Sequence, residues 1–286
     1  MGFLSHVGLM LAIGVLLGLS AHLYWQGIRQ LMPATGGLAL LAAYVFILAT
    51  NAGVPLGISC AVAVLTGGLV GLLLPLAGHG VSRAEFMLLG LALVEIIRRA
   101  AYNFPSLTGG TNGLSLEGVS WATPVVAASI AMAFALLAIL ITFGAWRNSF
   151  GMTLRLVGAS PRGATMLGIS TNKYELVCAT LGGSLAATAG IFYALTIQYI
   201  HPDDFGMTLG LPALAAGLAI RPRFVLFDVP VISLVLFGLR EILRFAGTGT
   251  ARFSLHDLLI GLILVAVAIQ MGRHTPTENE SRWERP

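Results

Sequence analysis

Apolar residues run along this chain in long blocks, each closed by a short polar stretch or by isolated arginines. A helix needs about 20 residues to cross roughly 30 Å of hydrocarbon. Blocks near 3–24, 34–50, 55–77, 84–104, 123–145, 175–198, 207–220, 223–243 and 257–272 meet or approach that length. The pattern predicts an all-α, polytopic transmembrane helix bundle of eight or nine spans. The seventh block is short and rich in Gly, Ala and Pro, which leaves two readings open, a full span or a re-entrant segment lining a cavity. No basic region precedes the first block, so it reads as a retained helix rather than a cleaved signal.

Lysine and arginine set the expected orientation, because cytoplasmic loops keep positive charge. The longest polar loop, 146–174, carries Arg147, Arg155, Arg162 and Lys173, which places it inside. Five blocks precede it, so the N-terminus is expected outside and, after nine crossings, the C-terminus inside. Arg29, Arg83, Arg221, Arg223, Arg273, Arg282 and Arg285 then share the inner side. One transmembrane domain, 1–274, is expected to contain the cytoplasmic loop, with 275–286 a polar, disordered tail.

Composition supports a lipid solvent. Hydrophobic residues make up 57% of the chain and charged residues 10%, against about 25% charged in soluble domains. The net charge of +4 comes from scattered arginines with no basic stripe, so no nucleic-acid partner is expected. Cys60 and Cys178 each sit in an apolar block, which supplies neither a disulfide framework nor a thiolate metal site.

Charges inside spans are the first candidates for chemistry, since one near the bilayer centre costs about 2.5 to 3.5 kcal/mol even on insertion scales. Glu95 precedes Arg98 and Arg99 by three and four residues, a spacing that pairs them on one helical face. A structural ion pair and a place in a solute pathway are both open. Arg240, Glu241 and Arg244 invite the same two readings. His201, Asp203 and Asp204 are either a cation site or a turn around Pro202. The segment Thr108 to Gly113 sets three glycines among hydroxyl and amide side chains, suited to an external gate, a seat for a binding protein, or an ordinary tight turn.

Catalytic patterns are missing: the sequence holds no G-x-S-x-G elbow and no H-E-x-x-H. Its one lysine, Lys173, follows no glycine-rich phosphate loop. These absences argue against an enzyme and point to no cofactor or metal in this chain; if transport is powered by ATP, the ATP must be bound and hydrolysed on a separate subunit. The loop 146–174 carries an expected helix from Met152 to Val157, a break at Gly158 to Pro161 and a second helix ending at Gly168, a plausible contact for such a subunit.

At this loop the chain resembles the branched-chain amino acid ABC permease family, on its LivM-like side, which also includes urea and short-amide permeases. Ser149-Phe150-Gly151, Leu154-Arg155, and then Ala164, Leu167, Gly168 and Ile169 are similar to the family's coupling segment. Glu95-Ile96-Ile97-Arg98 and the run Ser106 to Leu114 (Ser-Leu-Thr-Gly-Gly-Thr-Asn-Gly-Leu) resemble two further motifs. Ser184-Leu185-Ala186-Ala187, Ala189-Gly190 and Tyr193-Ala194 follow, then Tyr199-Ile200, Pro202-Asp203 and Phe205-Gly206. The matched stretch covers about 85 to 206.

The resemblance implies a subunit of the bacterial plasma membrane, importing branched-chain amino acids or a related small polar solute by alternating access. It implies as partners a second homologous permease subunit, two cytoplasmic ATPase subunits and a periplasmic or extracellular solute-binding protein. Arg155, Ala164, Leu167, Gly168 and Ile169 would couple to the ATPase. Glu95, Arg98, Thr108, Gly109, Gly110, Asn112 and Gly113 would belong to the pathway or external gate. The chain departs from the family at Gly36 to Ala43, Gly217 to Ala219 and Asp228 to Pro230, where polar or glycine motifs are reduced, and at Gly158 to Pro161, where an acidic cluster is absent. An ion-coupled secondary transporter is the first competing class, ahead of an intramembrane enzyme and a structural membrane scaffold.

Overall fold

The computed structural model describes residues 3–28, 32–78, 81–117, 124–222 and 224–238, with positions 258, 261, 262 and 265 near the C-terminus. Most of the expected ninth span, the tail and the Arg240, Glu241 and Arg244 group lie outside the described residues. The main helices are α1 (Phe3–Ile28), α2 (Thr35–Asn51), α3 (Leu56–Ala77) and α4 (Arg83–Asn103). A short α5 (Pro105–Thr108), a 3-10 turn (Gly110–Asn112) and strand β1 (Leu114–Ser115) lead to α6 (Pro124–Arg147). Then come α7 (Ser149–Ala159), α8 (Pro161–Met166), α9 (Thr171–Ile197), β2 (Tyr199–Ile200), α10 (Gly206–Ala219) and α11 (Val225–Ser233), the last continuing as a π turn over Leu234–Gly238.

Among the described residues four helical stretches are long and apolar enough to cross a membrane, Ser5–Gly27, Leu56–Ala77, Val125–Arg147 and Thr171–Ile197, and three shorter apolar helices accompany them, whereas α4, over the expected fourth span, is not one of the four. The local sequence explains where several elements begin. Ser82 and Glu85 form a reciprocal capping box, Glu85 accepting from the Ser82 amide at 2.7 Å, which starts α4. The expected break in the loop falls at Ser160, whose hydroxyl accepts from the Gly163 amide at 3.1 Å while Pro161 opens α8.

Burial sorts the helices into inner and outer ones. The α1 span is 78% buried, against 33% for the spans of α3 and α6, so α1 is apolar all round because it is surrounded. The outer helices present leucine-rich stripes at helical spacing, Leu65, Leu69, Leu73 and Leu76 on α3 and Phe134, Leu137 and Ile141 on α6, as a lipid-facing surface does.

Helix α9 packs against α1, α2 and α3 through its small residues. Gly183 meets the backbone of Gly67 and Gly71, and a Cβ placed on Gly67 would lie 2.5 Å from the Ala187 Cβ. Gly190 faces the Ala39 carbonyl so closely that a side chain there has no room. Such contacts hold helices together where lipid removes the usual hydrophobic driving force. Two hydroxyls add directional bonds, Ser20 donating to the Gly182 carbonyl at 2.7 Å and Tyr24 to the Ala179 carbonyl at 2.9 Å.

The seventh block forms α10, a 14-residue helix with Pro212 inside it. Its N-terminus rests on that of α2, where a Cβ on Gly36 would lie 2.5 Å from the Phe205 carbonyl oxygen. The start of α2 in turn leans on the middle of α4, with Gly90 beside Pro33 and Gly37 beside Val94. Two helices thus begin well inside the bundle.

Replacing Gly183 by Val drives a side chain into the Gly67 backbone, which cannot move aside. The expected loss of stability is about 3 kcal/mol, the upper range for overpacking, read as a lower unfolding midpoint in detergent. Gly144→Val, on α6 with nothing within 4 Å of a Cβ, is expected to leave the midpoint unchanged.

Candidate functional site

At the end of the bundle where α2, α4 and α9 finish, three chain segments close over one another. Thr108, in α5, has its hydroxyl 2.8 Å from the Phe104 carbonyl and also within reach of that of Ala101. Gly109 and Gly113 take φ of 73° and 67°, the left-handed region that glycine adopts without strain. The chain then runs into β1, which pairs antiparallel with β2, Leu114 opposite Ile200 and Ser115 opposite Tyr199. The Tyr199 hydroxyl donates to the Asn112 carbonyl at 2.9 Å. Asn51, at the end of α2, donates to the Ser115 carbonyl and accepts from the Glu117 amide, both at 3.0 Å. Sequence reading missed Asn51, because its partners lie more than sixty residues away.

Beside this cap, Glu95 and Arg98 pair as the spacing predicts, and Arg98 also reaches across to a second element. Its Nε and Nη2 donate to Glu95 at 2.9 Å each, and its Nη1 donates to Asp203 Oδ1 at 2.8 Å. Arg99 Nε donates to Glu95 Oε1 at 2.6 Å, and the Tyr102 hydroxyl to Asp203 Oδ2 at 2.6 Å. Asp203 stands in the turn between β2 and α10, so this network ties α4 to the start of α10. Hydrogen bonds from Tyr102 and Arg98 hold the Asp203 carboxyl below its ordinary value of 3.8.

The cation-site alternative for His201, Asp203 and Asp204 gives way to the turn. Asp204 Oδ2 accepts from the His201 amide at 3.0 Å, and the Asp203 amide donates to His201 Nδ1 at 3.3 Å. Both carboxylates are engaged by the protein, and no cluster of three potential metal ligands occurs among the described residues.

A cavity of about 730 Å³ opens between α4, the start of α2 and the start of α10. Leu88, Leu91, Val94 and Leu211 give it aliphatic walls, Pro33, Gly206 and Gly210 bring backbone to its edge, and Glu95, Arg98 and Asp203 supply its charges. The predicted pathway set therefore divides. Glu95 and Arg98 line the cavity, whereas Thr108, Gly109, Gly110, Asn112 and Gly113 build the neighbouring cap and are not among its lining residues.

The opposite end carries α7 and α8, where the five predicted coupling residues differ in surroundings. Arg155 folds back on its own corner, Nη2 donating to the Trp146 carbonyl at 2.6 Å and Nε to that of Gly151 at 3.2 Å. Ala164 is fully buried. Gly168, at φ 78°, ends α8 in a Schellman turn, with Ile169 N donating to the Ala164 carbonyl and Gly168 N to that of Thr165, both at 3.0 Å. Leu167 is 70% exposed, as are Met166 at 86% and Met152 at 73%. The two methionines escaped sequence reading because neither belongs to a motif. Only the fold turns them outward together with Leu167.

A family profile described as "Branched-chain amino acid transport system / permease component" matches residues 4–268. The chain is 29% identical over 195 residues to the protein named "Autoinducer 2 import system permease protein LsrC" of Escherichia coli (strain SMS-3-5 / SECEC), covering 66% of this chain and 55% of that one. It is 27% identical over 258 residues to the protein of the same name in Photorhabdus laumondii, covering 86% and 74%. In the Escherichia coli match the chain spans about half the length of the relative. Among solved structures, one described as a metal-chelate type ABC transporter in an inward-facing conformation matches with a TM-score of 0.53 at 19% identity, over 93% of this chain and 85% of the other. That likeness shows the fold.

The Asp203 contacts contribute stability above the carboxyl's ordinary value of 3.8, and this is lost as pH falls through its lower folded-state value. Asp203→Asn is expected to lower the melting temperature at pH 7 by about 1–3 °C. The gap from wild type should close as pH drops below 3.8, measured by thermal unfolding at pH 7 and pH 3.

Proposed function

The chain belongs to the branched-chain amino acid transport system permease family, and on that premise we propose that it is the membrane-spanning permease subunit of an ABC importer. The observation that carries this reading is the exposure of three large apolar side chains, Met152, Met166 and Leu167, on a pair of short helices. Large apolar side chains on an element that joins two membrane helices call for a protein partner. An ATPase subunit fits, since this chain has no phosphate loop of its own.

In this reading the bundle has eight or nine spans within one domain over 1–274, with the N-terminus and the Asn51 to Asp203 cap outside and α7 and α8 in the cytoplasm of a bacterium. The partners are a second homologous permease subunit, two ATPase subunits that bind the ATP, and an external solute-binding protein. Movement of α7 and α8 alternately opens the cavity beside Arg98 to either face.

The solute is a small polar molecule. Aliphatic walls with charges of both signs suit one that carries both an apolar part and polar groups. Branched-chain amino acids fit, and the relatives named for autoinducer 2 import add that molecule to urea and short amides as alternatives. An ion-coupled carrier is less well supported, because Glu95 is held by both Arg98 and Arg99 and is poorly placed to carry protons.

Uptake of labelled leucine, autoinducer 2 and urea into vesicles containing the chain and its neighbouring gene products tests this. ATP-dependent uptake is expected for one solute class, falling at least about tenfold in Arg155→Glu and in Leu167→Asp, the latter removing an exposed apolar contact worth about 1.4 kcal/mol or more. Uptake driven by an ion gradient without ATPases, unchanged in both variants, would sink the reading.

A further inference from the structure

The cavity between α4 and the starts of α2 and α10 has three features that ordinarily attract an anion. Two helices begin at its edge, and each helix N-terminus carries unpaired amides and roughly half a positive charge. Arg98 lines it as well. Each of these attractions is already answered from within the chain.

Asp203 and Asp204 immediately precede Phe205, the N-cap of α10, so that helix brings its own carboxylates to its positive end. At α2 the carbonyl oxygens of Phe205 and Gly206 lie against the first turn, 2.5 and 2.9 Å from a Cβ placed on Gly36. Partial negative charge therefore covers the second N-terminus. Arg98 gives Nε and Nη2 to Glu95 and Nη1 to Asp203, and Glu95 is held by Arg99 besides. Two carboxylates and two guanidiniums cancel, which leaves no unpaired cation among the residues that line the cavity.

A carboxylate brought to Arg98 would stand beside Glu95 and Asp203 and be repelled by both. An ammonium could reach Asp203 only in competition with Arg98 and Tyr102, which hold its two oxygens at 2.8 and 2.6 Å. What remains is hydrogen-bonding capacity without net charge. A guanidinium has five N–H groups, and Arg98 keeps one on each Nη, its side chain 30% exposed. Glu95 Oε2 accepts from Arg98 Nε alone, on a side chain 47% exposed. A hydroxyl accepts from the one and donates to the other at once, whereas a carboxylate only accepts and an ammonium only donates.

We propose that the cavity selects an uncharged solute with adjacent hydroxyl groups on an apolar skeleton, and excludes the zwitterion of an amino acid. Arg98 and Glu95 are the pair that recognises the hydroxyls. Leu88, Leu91, Val94 and Leu211 take the apolar part. Asp203 sets the selectivity, because its carboxylate completes the neutralisation of Arg98. The inference rests on the transport reading and deepens it, naming one solute class among those open there.

The test is equilibrium binding to the full chain, assembled with its neighbouring gene products in lipid nanodiscs. Three labelled probes share one carbon skeleton: leucine, the hydroxy acid in which a hydroxyl replaces its ammonium, and the vicinal diol in which a primary alcohol also replaces its carboxylate. The diol is expected to bind at least about fivefold more tightly than either charged probe, the scale of one partly exposed charge pair. Ala92→Trp fills the cavity from an exposed position on α4, and is expected to abolish diol binding without lowering the melting temperature. Asp203→Asn removes one of the carboxylates beside Arg98, and is expected to improve binding of the hydroxy acid relative to the diol at least about fivefold. Leucine or the hydroxy acid binding as tightly as the diol, no binding of the diol, or an unchanged preference in Asp203→Asn overturns the solute class. ATP-driven uptake of leucine into vesicles, lost in Ala92→Trp, also overturns the class and leaves the transport reading standing. Diol selectivity without ATP-driven uptake of any solute removes the transport reading and leaves the ligand class of the cavity.

Discussion

The structure depends first on the close approach of α9 to three neighbours. Lipid tails are as apolar as leucine, so burying leucine between helices gains little in a membrane, and contact distance takes over. Gly182, Gly183, Ala186, Ala187 and Gly190 leave the α9 surface nearly bare of side chains. The backbones of Gly67, Gly71 and Ala39 come up against it, and carbonyls are exposed to the hydroxyls of Ser20 and Tyr24. Everything at both ends is hung on this post. Its first residues follow the α7–α8 hairpin, and its last lead into β2 and the turn that presents Asp203.

The charges follow a second constraint. A partly buried arginine among apolar helices needs partners for its charge, and Arg98 is paired twice, locally with Glu95 and distantly with Asp203. The local pair sets side-chain direction on α4. The distant one fastens α4 to the turn before α10 and brings charge to the edge of a cavity with aliphatic walls. The glycine-rich segment next to it is a folded cap, its tight turn held by β-pairing and by Asn51. A gate built this way would move as a unit with β2 and the α10 turn.

At the other end, α7 and α8 are anchored by a different logic. Ala164 is buried so that α8 can lie down, Gly168 supplies the left-handed turn that ends it, and Arg155 braces the corner. These are structural jobs, and they leave Met152, Met166 and Leu167 as the surface available to a partner. Arg155, Ala164 and Gly168 from the motif hold the hairpin in shape, and its exposed apolar surface combines Leu167 from the motif with two methionines outside it.

The sequence alone determined the helical class, the membrane solvent, the positions of the long apolar helices, the break at Ser160 and the pairing of Glu95 with Arg98. Each of these depends on contacts within a few residues or on composition, which a linear reading can weigh. It also carried the family, because motif order survives along the chain. Only the tertiary structure decided that α10 is a short helix starting inside the bundle against α2, that Asp203 completes the Arg98 network, that Asn51 staples the cap, and that His22 and Trp146 meet. Those partners lie between 64 and 124 residues apart in the cases of Asn51 with Ser115, Arg98 with Asp203 and His22 with Trp146. No local propensity encodes such pairs; they exist because small residues on α9 let the helices close to a distance at which distant side chains can touch.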